Sequence, residues 1–306
     1  MRTMKLGQTD LQVPVVAVGC MHLHTLNKAE AGHFLNSAIE MGANFFDHAD
    51  IYAGGRCESL FAEALPLTAD RREKILIQSK CGIVRGKMFD FSKEHILKSV
   101  EQSLQRLQTE YLDVLLLHRP DALMEPDEVA EAFDLLESSG RVRHFGVSNQ
   151  NPWQIQLLKK SVRQPIAANQ LQLSLLHTSM IDAGLNVNRK SDPSIDRDGG
   201  ILDFCRLQDI TIQAWSPFQR DLFSGTYLDN PDYPELNAKL VEIADRYGVT
   251  PTTIVIAWFQ RHPAGIQPVT GTTKVHRLAD AVKAAEIRLT RQEWYALYLA
   301  AGNKLP

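Results

Sequence analysis

Residues 114–147, VLLLHRPDALMEPDEVAEAFDLLESSGRVRHFGV, hold one complete unit of the fold. The segment opens on the apolar run Val114-Leu-Leu-Leu117 and crosses a polar turn. It continues as the helical pattern Asp127 to Ser138 and returns as a second β-rich run, Val142 to Val147. Gly140 stands where a glycine closes a helix in the left-handed conformation. A short apolar strand, an amphipathic helix and another apolar strand make a β–α–β unit, which predicts parallel strands.

The same unit recurs on both sides. Upstream lie the β-branched run Val13 to Gly19, a helix from Asn27 to Met41 with Asn27 as its cap, and the strand Asn44-Phe-Phe46. The helix Glu58 to Leu65, the strand Ile75-Leu-Ile77 and the helix Ser92 to Leu107 follow. Downstream lie the helix Pro152 to Lys160 capped by Asn151, the strand Ile166 to Ala168, the helix Ile201 to Leu207 and the strand Ile210 to Ala214. Helices over Glu235 to Tyr247 and Pro251 to Arg261, the strand Ile266 to Val269 and helices Val275 to Ala284 and Gln292 to Ala301 complete the chain.

A strand-then-helix unit repeated about eight times fits a closed barrel or an open doubly wound sheet. An open sheet that holds a dinucleotide calls for G-x-G-x-x-G after its first strand, and this sequence has none. The expectation is therefore an α/β fold, a single (β/α)8 barrel with residues 1–306 as one domain. The polar stretch from about His177 to Gly200 reads as a long loop after the sixth strand, a substrate-side loop or lid.

Composition narrows the function. Of the 306 residues 44% are hydrophobic and 23% charged, and the formal net charge of -3 gives no reason to expect nucleic acid or an acidic membrane as partner. No apolar run reaches the ~18 to 20 residues that span a bilayer. Cys20, Cys57, Cys81 and Cys205 form no CxxC pair, so neither a zinc site nor a disulfide framework is expected. Without a secretory leader in the first residues, the expected setting is cytoplasmic.

In such a barrel, polar residues at the C-terminal ends of strands are the catalytic candidates. Strand two runs into Asp47-His-Ala-Asp-Ile-Tyr52, strand three ends Gln78-Ser-Lys80, strand four ends Leu117-His118 and strand five ends Gly146-Val-Ser148-Asn149. Alone, each residue has an ordinary reading: a hydrogen-bonded His, a solvated Lys, a structural Asp–Lys pair. Together they bring a carboxylate, a phenol, an amine and an imidazole to one rim. That set suits proton transfer to a carbonyl oxygen.

Those segments resemble the aldo-keto reductases. Gly42-Ala-Asn-Phe-Phe-Asp-His-Ala-Asp-Ile-Tyr52 is similar to that family's signature, Leu112 to His118 to its His block, and Gly140 to Asn149 to a further block. The resemblance runs from about Leu6 to Leu299. It implies an extra N-terminal hairpin and a C-terminal helix added to the barrel, and an NADP(H)-dependent enzyme acting on a small carbonyl substrate. It makes Tyr52 the general acid, with Lys80, paired with Asp47, lowering its pKa and His118 orienting the carbonyl.

The resemblance also assigns a cofactor path. Ser148, Asn149 and Gln170 match residues that bind the nicotinamide carboxamide, and Trp215 matches the aromatic under the nicotinamide ring. Ser216, Phe218, Asp221 and Leu222 would line the pyrophosphate. Gly271, Thr272, Thr273, Lys274 and Arg277 would hold the adenosine 2'-phosphate. Where the family often carries Glu and Asn three and four residues after this Arg, Asp280 and Ala281 stand here. The other readings weighed are a non-catalytic NADPH-binding barrel acting as a sensor or regulatory subunit, a barrel hydrolase or lyase using His118 and Asp47, a reactive Cys81 thiol, and a metal held by His22, His24 and His48. The few residues after the last helix suggest an open site of broad preference.

Overall fold

The computed structural model describes residues 1–220 and 225–306. Two short strands, β1 (Thr3–Lys5) and β2 (Gln12–Pro14), pair antiparallel. The barrel follows as β3 (Ala17–Gly19), β4 (Phe45–Asp47) and β5 (Leu76–Cys81), then, after a small hairpin of β6 (Ile83–Val84) and β7 (Met88–Phe89), β8 (Leu112–Leu117). It is completed by β9 (Val142–Ser148), β10 (Ile166–Gln172), β11 (Thr211–Trp215) and β12 (Gln267–Thr270). The eight barrel strands close in chain order, every pairing parallel, with β12 returning to β3.

Alternation along each strand sorts the core into two parts. Val18, Phe46, Ile77, Leu115, Leu117 and Val147 point outward into the layer between barrel and helices. Ala17, Phe45, Val114, Leu116, Ala168 and Val269 pack together inside the barrel. Leu6 and Val13 of the hairpin join this inner group, so the hairpin plugs the N-terminal mouth. Its turn needs Gly7: at φ +55° a Cβ would stand 2.4 Å from the Ala167 carbonyl oxygen. Gly146 is required for a related reason, since a Cβ there would lie 2.7 Å from both the Ala168 carbonyl and Leu116.

The expected caps form. Asn27 and Asn151 each make a reciprocal capping box, with Glu30 and Gln154, and the Ser92 side chain accepts from the His95 amide.

Two expectations change. The run from Val13 to Gly19 is two strands, because Pro14 has no N–H to continue a ladder and the chain bends into the barrel after it. The segment 177–200 is not one loop but carries the helix Ser179–Leu185, which buries Met180 and Ile181. Asp182 accepts from Tyr298 Oη at 2.6 Å, tying that helix to the C-terminal helix Arg291–Ala300. Among the described residues no helix is long and apolar enough to cross a membrane.

Candidate active site

Inward-pointing residues change from apolar to polar toward the C-terminal mouth. The parallel register sets Asp47 beside Gln78, and Gln170 beside Gln213, which in turn lies beside Gln267. These five side chains form one buried hydrogen-bonded layer. Gln267 donates to the Pro14 carbonyl at 2.6 Å, and Gln213 donates to Gln267 at 2.9 Å and to Gln78 at 3.2 Å. Gln78 and Gln170 both donate to the Gln213 carbonyl oxygen, at 2.9 and 3.1 Å, and both donate to Asp47 Oδ1, at 2.5 and 3.0 Å. A carbonyl that only accepts and a carboxylate that only accepts end the chain, so the orientation of every amide between them follows.

Two residues beyond Gln78 on β5, Lys80 is 1% exposed. Its ammonium donates to Asp47 Oδ2 at 2.8 Å, to the His48 carbonyl at 2.8 Å and to Tyr52 Oη at 3.0 Å. A buried ammonium is tolerated only with such partners. Burial alone would push it down, but Asp47 and Tyr52 more than offset this and hold it above its ordinary value. Tyr52 opens a tight turn, Tyr52–Gly55, five residues after β4 ends at Asp47, and Ala53, Gly54 and Gly55 in it all have positive φ. The two glycines make that turn possible, and only Ala53 carries the strain of a left-handed residue with a Cβ.

Burial pushes the Tyr52 phenol up, and the Lys80 ammonium pulls it partly back, leaving it above its ordinary value. The lowering contribution of Lys80 has the expected sign, but desolvation is larger and sets the net direction. His118 presents its ring edge-on to Tyr52, centroids 6.1 Å apart, and its Nδ1 is buried without a hydrogen-bond partner. Burial, then Lys80 and Arg119, push its pKa well down, so the imidazole is neutral near pH 7.

Across the mouth, a second group is linked by hydrogen bonds. Ser148 Oγ donates to the Gln170 carbonyl at 2.9 Å, and Asn149 Nδ2 donates to Ser148 Oγ at 2.7 Å. The Trp215 indole donates to Asn149 Oδ1 at 3.1 Å. Asn149 and Ser216 both adopt positive φ as the chain leaves β9 and β11. Ser216 Oγ reaches Gln219 at 3.2 Å, and Phe218 packs half-buried on the core. Asp221 and Leu222 lie outside the described residues.

After β12, exposed Gly271 leads to Thr272 and Thr273, and the Lys274 amide donates to Thr272 Oγ1 at 3.1 Å as the helix Val275–Lys283 begins. Arg277 lies in the first turn of that helix, exposed and without an ion pair among the described residues. An unpaired guanidinium beside the amides of a helix start suits a phosphate. These residues, with the half-buried Trp215 face, fit a nicotinamide dinucleotide phosphate.

Of the residues expected from the sequence, the structure brings together Asp47, Tyr52, Lys80 and His118 and, joined to them through the Gln170–Asp47 bond, Ser148, Asn149, Gln170 and Trp215. The sequence reading gave these positions. It missed Gln78, Gln213 and Gln267, whose signal was their inward phase two residues from Lys80, Trp215 and Val269. Cys81 points outward into the core, where burial pushes its thiol well up, which is the opposite of a reactive cysteine. His48 is wedged against Phe61, and burial and Lys80 push its pKa down to about 3.

The family model described as the aldo/keto reductase family matches residues 15–298. The chain belongs to the aldo/keto reductase family. It is similar to the 6-dehydroglucose reductase of Agrobacterium fabrum, 35% identical over 280 residues, covering 88% of this chain and 87% of that protein. Among solved structures, the thermostable aldo-keto reductase Tm1743 in complex with the inhibitor epalrestat is 27% identical, with a TM-score of 0.79 over 98% of this chain and 100% of that one. The Bombyx mori aldo-keto reductase in complex with NADP is 19% identical, with a TM-score of 0.75 over 98% and 92% of the two chains, a likeness of fold. The aldo/keto reductase barrel explains why the polar groups gather at one mouth.

Proposed function

We propose that this aldo/keto reductase family member reduces the carbonyl of a small aldehyde or ketone, with NADPH as its cofactor. The observation that carries the reading is the Lys80 ammonium, hydrogen-bonded at once to Asp47 and to the Tyr52 hydroxyl. Two similar proteins agree with it: one is named a 6-dehydroglucose reductase, and one is complexed with NADP.

NADPH, when bound, supplies the hydride. The work of the chain is to hold a carbonyl and deliver a proton. Tyr52, kept protonated by burial, donates from Oη to the carbonyl oxygen as negative charge develops there. The phenolate left behind stays 3.0 Å from the Lys80 ammonium, which stabilises it. Asp47 orients that ammonium without taking part in the transfer. A neutral His118 can donate one N–H to the same oxygen, adding a second fixed dipole where charge appears. Ser148, Asn149, Gln170 and Trp215 would seat the nicotinamide, with Gln170 offering its carbonyl oxygen because its amide N–H groups are engaged. Gly271, Thr272, Thr273, Lys274 and Arg277 would seat the adenosine 2'-phosphate.

The test is a panel of aldehydes and ketones assayed by loss of NADPH absorbance. Turnover of at least one small aldehyde is expected. If the protein binds NADPH tightly yet consumes it with no carbonyl compound, the reading as a reductase is wrong.

A further inference from the structure

Arg119 follows His118 directly, at the mouth of the barrel, and neither the proton-transfer group nor the cofactor path employs it. Its guanidinium lies over the Trp215 ring, 5.6 Å from the centroid. Arg119 therefore reaches across the mouth from the end of β8 toward the end of β11. Among the described residues it has neither an ion pair nor a side-chain hydrogen bond. Its electrostatic neighbours are the groups that would do the chemistry. Burial pushes the guanidinium down while the Tyr52 hydroxyl pulls it up, and Arg119 in turn helps push down His118.

A half-buried guanidinium normally finds a carboxylate, because removing it from water without one is costly. Half-buried Arg71 and Arg261 donate instead to backbone carbonyls, of Pro66 and Leu289, and two further arginines hold carboxylates. Arg72 holds Asp113 at 2.7 Å, and Arg106 holds Glu58 at 2.7 Å. Arg119 has neither kind of partner among the described residues; it lies over the Trp215 ring, close enough to Tyr52 and His118 to act on both electrostatically. The cation–π contact with Trp215 leaves the N–H groups of the fork available to a planar or tetrahedral oxyanion.

We infer that Arg119 is a specificity-determining residue that selects carbonyl substrates bearing an oxyanion, a carboxylate or a phosphate. The inference rests on the reductase reading and names the substrate class of the same site. It assigns Arg119 no part in proton or hydride transfer, so its loss weakens substrate capture and leaves the chemical step in place.

The experiment uses the NADPH-loaded enzyme and two pairs of aldehydes that differ in charge: 4-carboxybenzaldehyde against methyl 4-formylbenzoate, and glyceraldehyde 3-phosphate against glyceraldehyde. The wild type is expected to favour the charged member of at least one pair by about ten- to a hundredfold in kcat/KM. The pair that shows it tells carboxylate from phosphate. In Arg119→Gln that preference should fall to about twofold through KM, with kcat and the neutral partner nearly unchanged; Arg119→Lys should recover part of it. The affinity for NADPH, read by titration of intrinsic fluorescence, should not move. The inference is overturned if neither pair shows a preference for charge, or if the preference survives in Arg119→Gln. It is equally overturned if the variant loses NADPH affinity instead, which would place Arg119 with the cofactor. Turnover of the neutral aldehydes without discrimination sinks this inference alone, whereas no turnover of any aldehyde sinks the reductase reading beneath it.

Discussion

Gln170 donates its side-chain amide to Asp47 Oδ1 at 3.0 Å, although the two residues lie 123 positions apart. Asp47 is thereby shared. One oxygen accepts from Gln170 and Gln78, and the other from Lys80. The proton-transfer group and the candidate carboxamide contact are thus joined through one carboxylate, and the joint is held from below by Gln213.

Gln213→Leu removes the acceptor shared by Gln78 and Gln170 and leaves their N–H groups short of a partner in a buried layer. A loss of about 1–3 kcal/mol is expected, read as a lower urea midpoint with an unchanged slope. An unaltered midpoint would mean that the amide layer contributes nothing to stability.

Lys80→Met removes the cation that holds the Tyr52 phenol down, while the burial that pushes it up remains. The phenol pKa should therefore rise. Reduction needs the protonated form and is lost as pH rises through that pKa; alcohol oxidation needs the phenolate and is gained there. In the variant the rise of alcohol oxidation with pH should move to higher pH, measured as a kcat/KM profile with NADP. A profile that drops in height but stays at the same pH would break the proposed link from Lys80 to Tyr52.

Arg277→Ala removes an exposed guanidinium that has no ion pair of its own. A charge-assisted phosphate contact contributes about one to two decades of affinity. The wild type is expected to prefer NADPH over NADH by roughly tenfold or more, and the variant to lose most of that preference with NADH binding unchanged. Equal loss for both cofactors would make Arg277 a structural residue of its helix. Raising the salt concentration should narrow the wild-type gap.

Asp50 gives a prediction about stability. Burial, then Glu58, pushes its carboxyl up to about 7, and its Oδ1 has no partner. A carboxylic acid raised in the folded state above its unfolded value costs stability once it ionises. That cost grows as pH rises from about 4 to about 7 and is constant above. Asp50→Asn should therefore stabilise the protein by about 1–3 kcal/mol at pH 8 and by little at pH 4, followed as Tm. A gain independent of pH would show that Asp50 is not the titrating group.

How much of this was legible follows from the range of each interaction. Asp47, Lys80 and His118 were readable because each ends an apolar strand, and Tyr52 because it stands in the motif that follows Asp47. The amide layer was not, since Gln78 meets Gln213 across 135 positions and only the closed register brings them together. Pro14 hid the division of Val13 to Gly19 inside an apolar run. The helix Ser179–Leu185 was hidden by the polar residues around its two buried anchors, Met180 and Ile181. The net direction of the Tyr52 pKa could not be read from a neighbouring lysine, because desolvation depends on packing that no motif encodes.

The central claim is that Tyr52 delivers the proton. The most direct measurement is single-turnover reduction of an accepted aldehyde by NADPH-loaded Tyr52→Phe, with the equilibrium affinity for NADPH measured alongside by fluorescence titration. The substitution removes one hydroxyl and keeps the ring that faces His118. The account predicts a rate about 10² to 10⁴-fold below wild type with NADPH affinity unchanged. A variant that reduces the aldehyde at the wild-type rate would contradict it.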